Sequence, residues 1–319
     1  MLPFKYSGSN VDLTALAEGL TEDIVTGLSR FSYLKVIARS SPSRFTSEPV
    51  DVRTAGRELG ARYVMEGSVR HAGTKLRLAV QLVDTTSGAN LWAESYERSF
   101  SPEALFELQD DLVPRIVSTV ADMHGVLPRS MSELVRLKTA DQLSPYEALL
   151  RSFSYAERLT ADELRAALSG LESAVRKAPT YGDAWAMLAF LCIQDYAQDF
   201  NLHPDSLTRG LTAAQRAVEF APSNHLSYST LAQALFFRKE FQGFRNAAER
   251  SVALNSMDGD SVAFLGELLT YAGDWKRGLA MAGCAKQLNP HYPGWYWYAD
   301  FYHAYRQGDY RGALSFALR

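Results

Sequence analysis

The sequence contains no run of about 20 consecutive apolar residues, the length a helix needs to cross a bilayer. Met1-Leu2-Pro3-Phe4 lacks the basic and apolar stretches of a secretory signal, so a cytoplasmic location without membrane association is expected. Cysteine is scarce. Cys192 and Cys284 are the only two, without CxxC spacing, and are expected as free thiols in a reducing compartment. An excess of one charge is also missing: 33 basic side chains face 36 acidic ones, for a formal net charge of −3. That leaves no global basic field for nucleic acid. Phosphate-loop, GxGxxG, HExxH and GxSxG patterns are absent. The six histidines, His71, His124, His203, His225, His291 and His303, form no i,i+4 pair for zinc. No catalytic residue, metal or cofactor is therefore expected, and the chain is read as a non-enzyme.

What is present divides into two patterns. The 319 residues, 47% of them hydrophobic, suffice for a core and for more than one domain. Residues 62–98 read as a three-stranded meander. Leu76, Leu78, Val80 and Leu82 alternate with Lys75, Arg77 and Gln81, the period-two signature of a half-buried strand. His71-Ala72-Gly73-Thr74 and Thr85–Asn90 supply the turns. Before the meander, Leu2-Pro3-Phe4 reads as the tail of a strand and residues 11–31 as a helix with the stripe Leu13, Leu16, Ala17, Leu20, Ile24, Leu28 and Phe31. Residues 34–38 read as a strand, 40–49 as a loop, and Asp51 opens a short helix that Gly60 closes. After the meander, Ser101-Pro102-Glu103 is a good helix start, and Pro114 is expected to kink or break that helix. The mixed sheet would have five strands in the order βαβαβββα.

From Ser144 onward the pattern is helical and repetitive. Trp185, Leu188 and Ala189 recur as Tyr228, Leu231 and Ala232, and again as Val262, Leu265 and Gly266. Gly273-Asp274-Trp275 and Gly308-Asp309-Tyr310 repeat a turn between paired helices. Pro222, Ser256 and Pro290 stand 34 residues apart, while Pro179 precedes Pro222 by 43, so about nine residues are inserted, expected around 195–206. These positions resemble tetratricopeptide (TPR) repeats. The expected architecture is thus an α+β N-terminal domain (1–124), a linker (125–143) and an all-α TPR superhelix (144–319).

A second resemblance covers residues 2–120. Gly19-Leu20-Thr21-Glu22-Asp23-Ile24, Leu34–Ser41, Glu58–Val64, Glu66-Gly67-Ser68-Val69-Arg70, Gln81-Leu82-Val83-Asp84 and Leu91-Trp92-Ala93-Glu94 together resemble the TolB-like N-terminal domain that precedes TPR arrays. That resemblance implies a module C-terminal to an effector, often a bacterial class III adenylate/guanylate cyclase domain, sometimes a winged-helix domain. An effector upstream of Met1 is expected on this basis, and truncation at both ends is expected because the first strand lacks its beginning and the array its polar C-terminal cap.

The expected function is a non-catalytic regulatory and protein-interaction module in signal transduction. Alternatives are the C-terminal regulatory part of an adenylate cyclase and a small-ligand sensor. The expected partner is a protein or peptide lying along the first helices of the repeats. The repeat register assigns it Phe190, Ile193 and Gln194, then Gln233, Phe236 and Phe237, then Glu267, Thr270 and Tyr271. The aromatic run 292–305 is read first as repeat packing and second as a peptide surface.

Overall fold

The structure is a computed structural model and describes residues 1–37, 51–101 and 104–319. The loop expected at 40–49 and the Pro102-Glu103 helix start lie outside the described residues. The described chain divides into two compact units, one of residues 1–29 and 34–117, the other of residues 30–33 and 118–319.

The first unit holds β1 (Lys5–Tyr6), α1 (Val11–Leu28), α2 (Val52–Leu59), β2 (Tyr63–Ala72), β3 (Lys75–Asp84) and β4 (Asn90–Ser99). Its sheet is mixed and four-stranded, in the order β1-β2-β3-β4, with β1 parallel to β2 and the rest antiparallel. The fifth strand expected at 34–38 is not seen in its described part, 34–37, where the chain is irregular. The Met1 amino group donates to the Ile37 carbonyl there, a single link rather than a ladder. The alternation in β3 holds: Leu76, Leu78, Val80 and Leu82 are buried, and Lys75 and Arg77 are exposed. Gly73 and Gly88 take positive φ in the two hairpin turns, where a side chain would be strained. Asp84 organises the second turn by accepting from the Thr86 and Ser87 amides and pairing with Arg62. Burial opposes the Asp84 charge, but these donors hold its pKa below the usual value. Asp51 caps α2 through the Arg53 amide, and Gly60 ends it at φ 62°.

α3 (Leu105–Ala121) is one helix that retains Pro114 in its interior, so the expected break does not occur. Proline removes one helical hydrogen bond, but Leu112, Val113, Ile116, Val117 and Val120 are buried and pack the turns on both sides of it.

The second unit continues with α4 (Val126–Val135), then α5 (Pro145–Arg158), α6 (Ala161–Lys177), α7 (Gly182–Ala197), α8 (Ser206–Phe220), α9 (His225–Phe237), α10 (Phe241–Leu254), α11 (Gly259–Tyr271), α12 (Trp275–Leu288), α13 (Tyr298–Arg306) and α14 (Tyr310–Ala317). From α5 on, these pair as helical hairpins of the TPR kind: α5/α6, α7/α8, α9/α10, α11/α12 and α13/α14. Pro179, Pro222, Ser256 and Pro290 each lie two residues past a second helix. Gly273 and Gly308 take positive φ in their turns, and Lys239 takes the same conformation in the α9/α10 turn. The inserted residues lie between α7 and α8. There the buried Asp195 carboxylate accepts from the Leu202 and His203 amides and from the Ser206 hydroxyl, which fixes the connection.

Phe31 does not continue the α1 stripe, because α1 ends at Leu28. Residues 30–33 pack within the second unit instead. The Phe31 ring stands 5.6 Å from His225, and the Tyr33 ring stands 5.0 Å from Phe153. The buried Tyr33 hydroxyl donates to the Ala121 carbonyl, and Tyr146 donates to the Tyr33 carbonyl.

Candidate functional site

Each first helix of a hairpin packs on its own second helix and on the first helices of neighbouring hairpins. Residues on that shared side are therefore taken from water whether apolar or not. Where the first helices α5, α7, α9 and α11 and the start of α13 leave space, a hollow of about 240 Å³ opens. Phe190, Gln194, Gln233 and Glu267, four of the nine groove residues expected from the register, line it. So do Tyr155, Met187, Leu226, Ser229, Thr230, Ser261, Phe264, Trp295 and Tyr298, with Met123 and His124 from the turn after α3.

The other five expected residues lie elsewhere. Ile193 is fully buried, and Gly210 on α8 lets that helix approach it. Phe236 packs edge-on to Phe244 at 5.4 Å, in the core between α9 and α10. Phe237 meets Tyr196 at 5.7 Å. Thr270 is buried where α11 meets Gly278 of α12. Tyr271 is 42% exposed and stands beside Tyr302. Its hydroxyl nevertheless donates to Glu267 Oε1 at 2.7 Å.

The register positions Phe190, Gln233 and Glu267 all line the hollow, whereas those three and four residues further along do so only at Gln194. The 34-residue step was the available signal: Leu226, Thr230 and Gln233 recur as Asp260, Phe264 and Glu267, and all six line the hollow. His124, Tyr155 and Trp295 carried no comparable signal, because they are far apart in sequence and meet only through tertiary packing.

The electrostatics of the hollow are acidic. Burial raises the Glu267 carboxyl to about 7, against the Tyr271 hydrogen bond that favours its charge. Asp260 is paired with His124, Nε2 to Oδ1 at 3.1 Å. Burial opposes the His124 charge, yet Asp260 and Asp122 hold its pKa above the ordinary value. Among the described residues, neither Lys nor Arg lines the hollow. Two buried polar atoms of lining residues, the Tyr155 hydroxyl and Gln233 Oε1, lack a hydrogen-bond partner among the described residues. Burial, and then the Asp195 charge, push the Tyr155 hydroxyl up to about 12.

Beyond the hollow lies a buried polar cluster that the sequence did not reveal. Asp122 accepts from Ser118 Oγ, Asn289 Nδ2 and the His124 amide. Burial and the nearby Asp258 charge raise it to about 7. Asp258 accepts from Ser261 and lies 2.9 Å from His225 Nε2, and these partners hold its pKa down despite burial. On the sheet of the first unit, a second hollow of about 240 Å³ is lined by Lys5, Glu66, Gly67, Ser68 and residues of β3 and β4. One cation and one carboxylate give it no preference for an anion. Among the described residues, no cluster of three or more His, Cys, Asp or Glu side chains could hold a metal, and no helix is long and apolar enough to cross a membrane.

Residues 1–115 match the family described as the second domain of HilA/YgeH-like transcriptional regulators, about a third of the chain. Over 250 residues the chain is 33% identical to "Putative adenylate cyclase 3" of Rhizobium meliloti (strain 1021), a match that takes in 77% of this chain. It spans 41% of that relative's length. Among solved structures, two crystal structures of MamA are 14% and 15% identical, with TM-scores of 0.36 and 0.35. They cover 52% and 53% of this chain and 89% and 88% of their own. YrrB, described as a TPR protein with an unusual peptide-binding site, is 13% identical with a TM-score of 0.34, covering 59% of this chain and 89% of its own. TM-scores this low decide nothing about this chain.

Proposed function

We propose that this chain is a non-catalytic regulatory module, cytoplasmic, whose helical hairpins hold a peptide segment of another protein. The observation that carries this reading is the hollow. Consecutive first helices turn Phe190, Gln194, Gln233, Phe264 and Glu267 into one cavity rather than closing a dry core. Cavities of this kind, largely apolar with a few convergent polar groups, are where ligands bind. The aromatic lining would anchor the segment, and Phe237 and Tyr271 would extend the surface at its edge. In this reading residues 1–124 are a TolB-like accompanying domain joined through 125–143 to the array. The test is selection of random twelve-residue peptides displayed on phage against the immobilised chain. Enriched clones should lose binding to Phe190→Ala, with the melting temperature little changed. Failure to enrich any peptide would remove the reading.

A second reading is supported by the adenylate cyclase relative: the chain would be the regulatory part of a nucleotide cyclase whose catalytic domain lies upstream. Purified chain incubated with ATP or GTP and a divalent metal should give no cyclic nucleotide. Production above a blank would contradict the non-catalytic assignment. A cyclase domain encoded directly upstream of Met1 would support the second reading.

A further inference from the structure

The hollow has a chemical bias that a general peptide groove lacks. Among the described residues its lining carries two carboxylates, Asp260 and Glu267, and no Lys or Arg. The Asp260 charge is already met by His124 at 3.1 Å. Glu267 has no ion pair among the described residues and is only 8% exposed; its carboxylate accepts there from the neutral Tyr271 hydroxyl alone. A buried carboxylate without a cation is costly, and an incoming cation removes that cost. Gln233 occupies the position one repeat before Glu267, is 4% exposed, and keeps Oε1 without a donor. Phe264, Trp295 and Tyr298 offer aromatic faces in the same hollow, suited to the stem and charge of a long basic side chain.

We propose, resting on the groove reading above, that the hollow selects a lysine or arginine side chain from a basic segment of a partner protein, with Glu267 as its counter-ion and Gln233 Oε1 as a second acceptor. The charge complementarity of the lining identifies the occupant. An acidic segment or a terminal carboxylate would face Glu267 without any compensating cation. Glu267 and Gln233 set which segment binds, while the rings supply most of the contact area.

The peptides enriched on the full chain provide the probe. One enriched peptide is synthesised as selected and again with its basic anchor replaced by norleucine. Both are titrated by fluorescence anisotropy against the wild type, Glu267→Gln and Gln233→Met, each variant checked by thermal melting. The basic peptide should bind Glu267→Gln roughly ten- to a hundredfold more weakly, the scale of a lost charge-assisted hydrogen bond. Gln233→Met should show a smaller loss, and the norleucine peptide should bind all three proteins alike. Enrichment of peptides without a basic residue, or equal losses for both peptides, overturns the proposal while leaving the groove reading intact. Absence of enrichment removes both. Self-association of the chain that the peptides displace would assign the hollow to a second copy and overturn the proposal.

Discussion

From α7 to α12 the first and second helices of each hairpin solve different problems, although they have similar lengths and alternate along the chain. α11 buries ten of its 13 residues, including Ser261, Glu267 and Thr270, whereas α12 buries four of 14, all on one stripe. α9 and α10 repeat the contrast. A second helix has one covered side and one wet side, so its sequence shows a simple apolar stripe. A first helix is covered by its own partner and by neighbouring first helices, so burial no longer tracks hydrophobicity along it. Burial without apolarity is what makes a polar cavity, so the first helices carry the candidate site.

The sharpest way to break this contrast is to truncate a core side chain on a first helix. Leu265 on α11 is fully buried within the cluster formed with Phe244, Ala248 and Leu268. Leu265→Ala should cost about 2–5 kcal/mol in a denaturant titration. Leu231, which lies at the margin of the same cluster and is only partly buried, should cost clearly less when changed to alanine. Equal losses would mean that the two positions are equally enclosed.

A second test uses the burial of charge. In the folded state Glu267 is raised to about 7 from 4.5, so between those pH values the native protein holds a proton that the unfolded chain has released. Stability from this group therefore falls as pH rises through that window, and stays lower above it. Glu267→Gln removes the effect and keeps the size. It should leave stability near that of the wild type at pH 4.5 and raise it by about 3 kcal/mol at pH 8. Asp122 titrates in the same direction in both proteins and cancels from the comparison. Parallel stability–pH curves for the two proteins would show that Glu267 is not buried as described.

The next effect concerns how closely the two kinds of helix approach. A Cβ on Gly278 of α12 would lie 2.5 Å from the Gly266 carbonyl and 2.9 Å from the Thr270 amide, both backbone atoms that cannot step aside. Gly278→Ala should cost about 1–3 kcal/mol by forcing α11 and α12 apart. Gly283, on the same helix with open space around it, should gain about 1 kcal/mol as alanine. Melts of the two variants that moved in the same direction would remove the close approach from the account.

The smallest expected change is in a turn. Lys239 sits at φ 64° where the following hairpin has Gly273. Lys239→Gly should stabilise by about 0.5–1 kcal/mol, as relief of left-handed strain outweighs the added freedom of the unfolded chain.

The parts of the molecule legible in the sequence were those fixed by local rules. Gly273 and Gly308 mark turns because positive φ is cheap only for glycine, and Pro179, Pro222 and Pro290 mark helix ends because proline cannot continue a helix. The alternation in β3 exposed its buried face for the same kind of reason. Phe31 was misplaced because it continues the α1 stripe at helical spacing, and periodicity does not register that the chain has already left the helix. Pro114 was read by its local cost, which packing along α3 overrides. In the site, Gln233 and Glu267 were legible through the repeat register, but the same register also assigned Phe236 and Phe237, three and four residues further along α9, which do not line the hollow. The cluster of Asp122, Asp258 and Asn289 left no local trace, since its members come from a separate connection and two helix caps.

The central claim is that the hollow lined by the first helices is where a partner segment binds. Tyr298 tests it most directly, because it lines the hollow, is 50% exposed, and contributes little to the core. A calorimetric titration of one enriched peptide into the wild type and into Tyr298→Ala should show a loss of about 1–3 kcal/mol for the variant, with an unchanged melting temperature. Undiminished affinity in Tyr298→Ala and also in Phe190→Ala, for a peptide that does bind, would place the binding surface elsewhere and contradict the account.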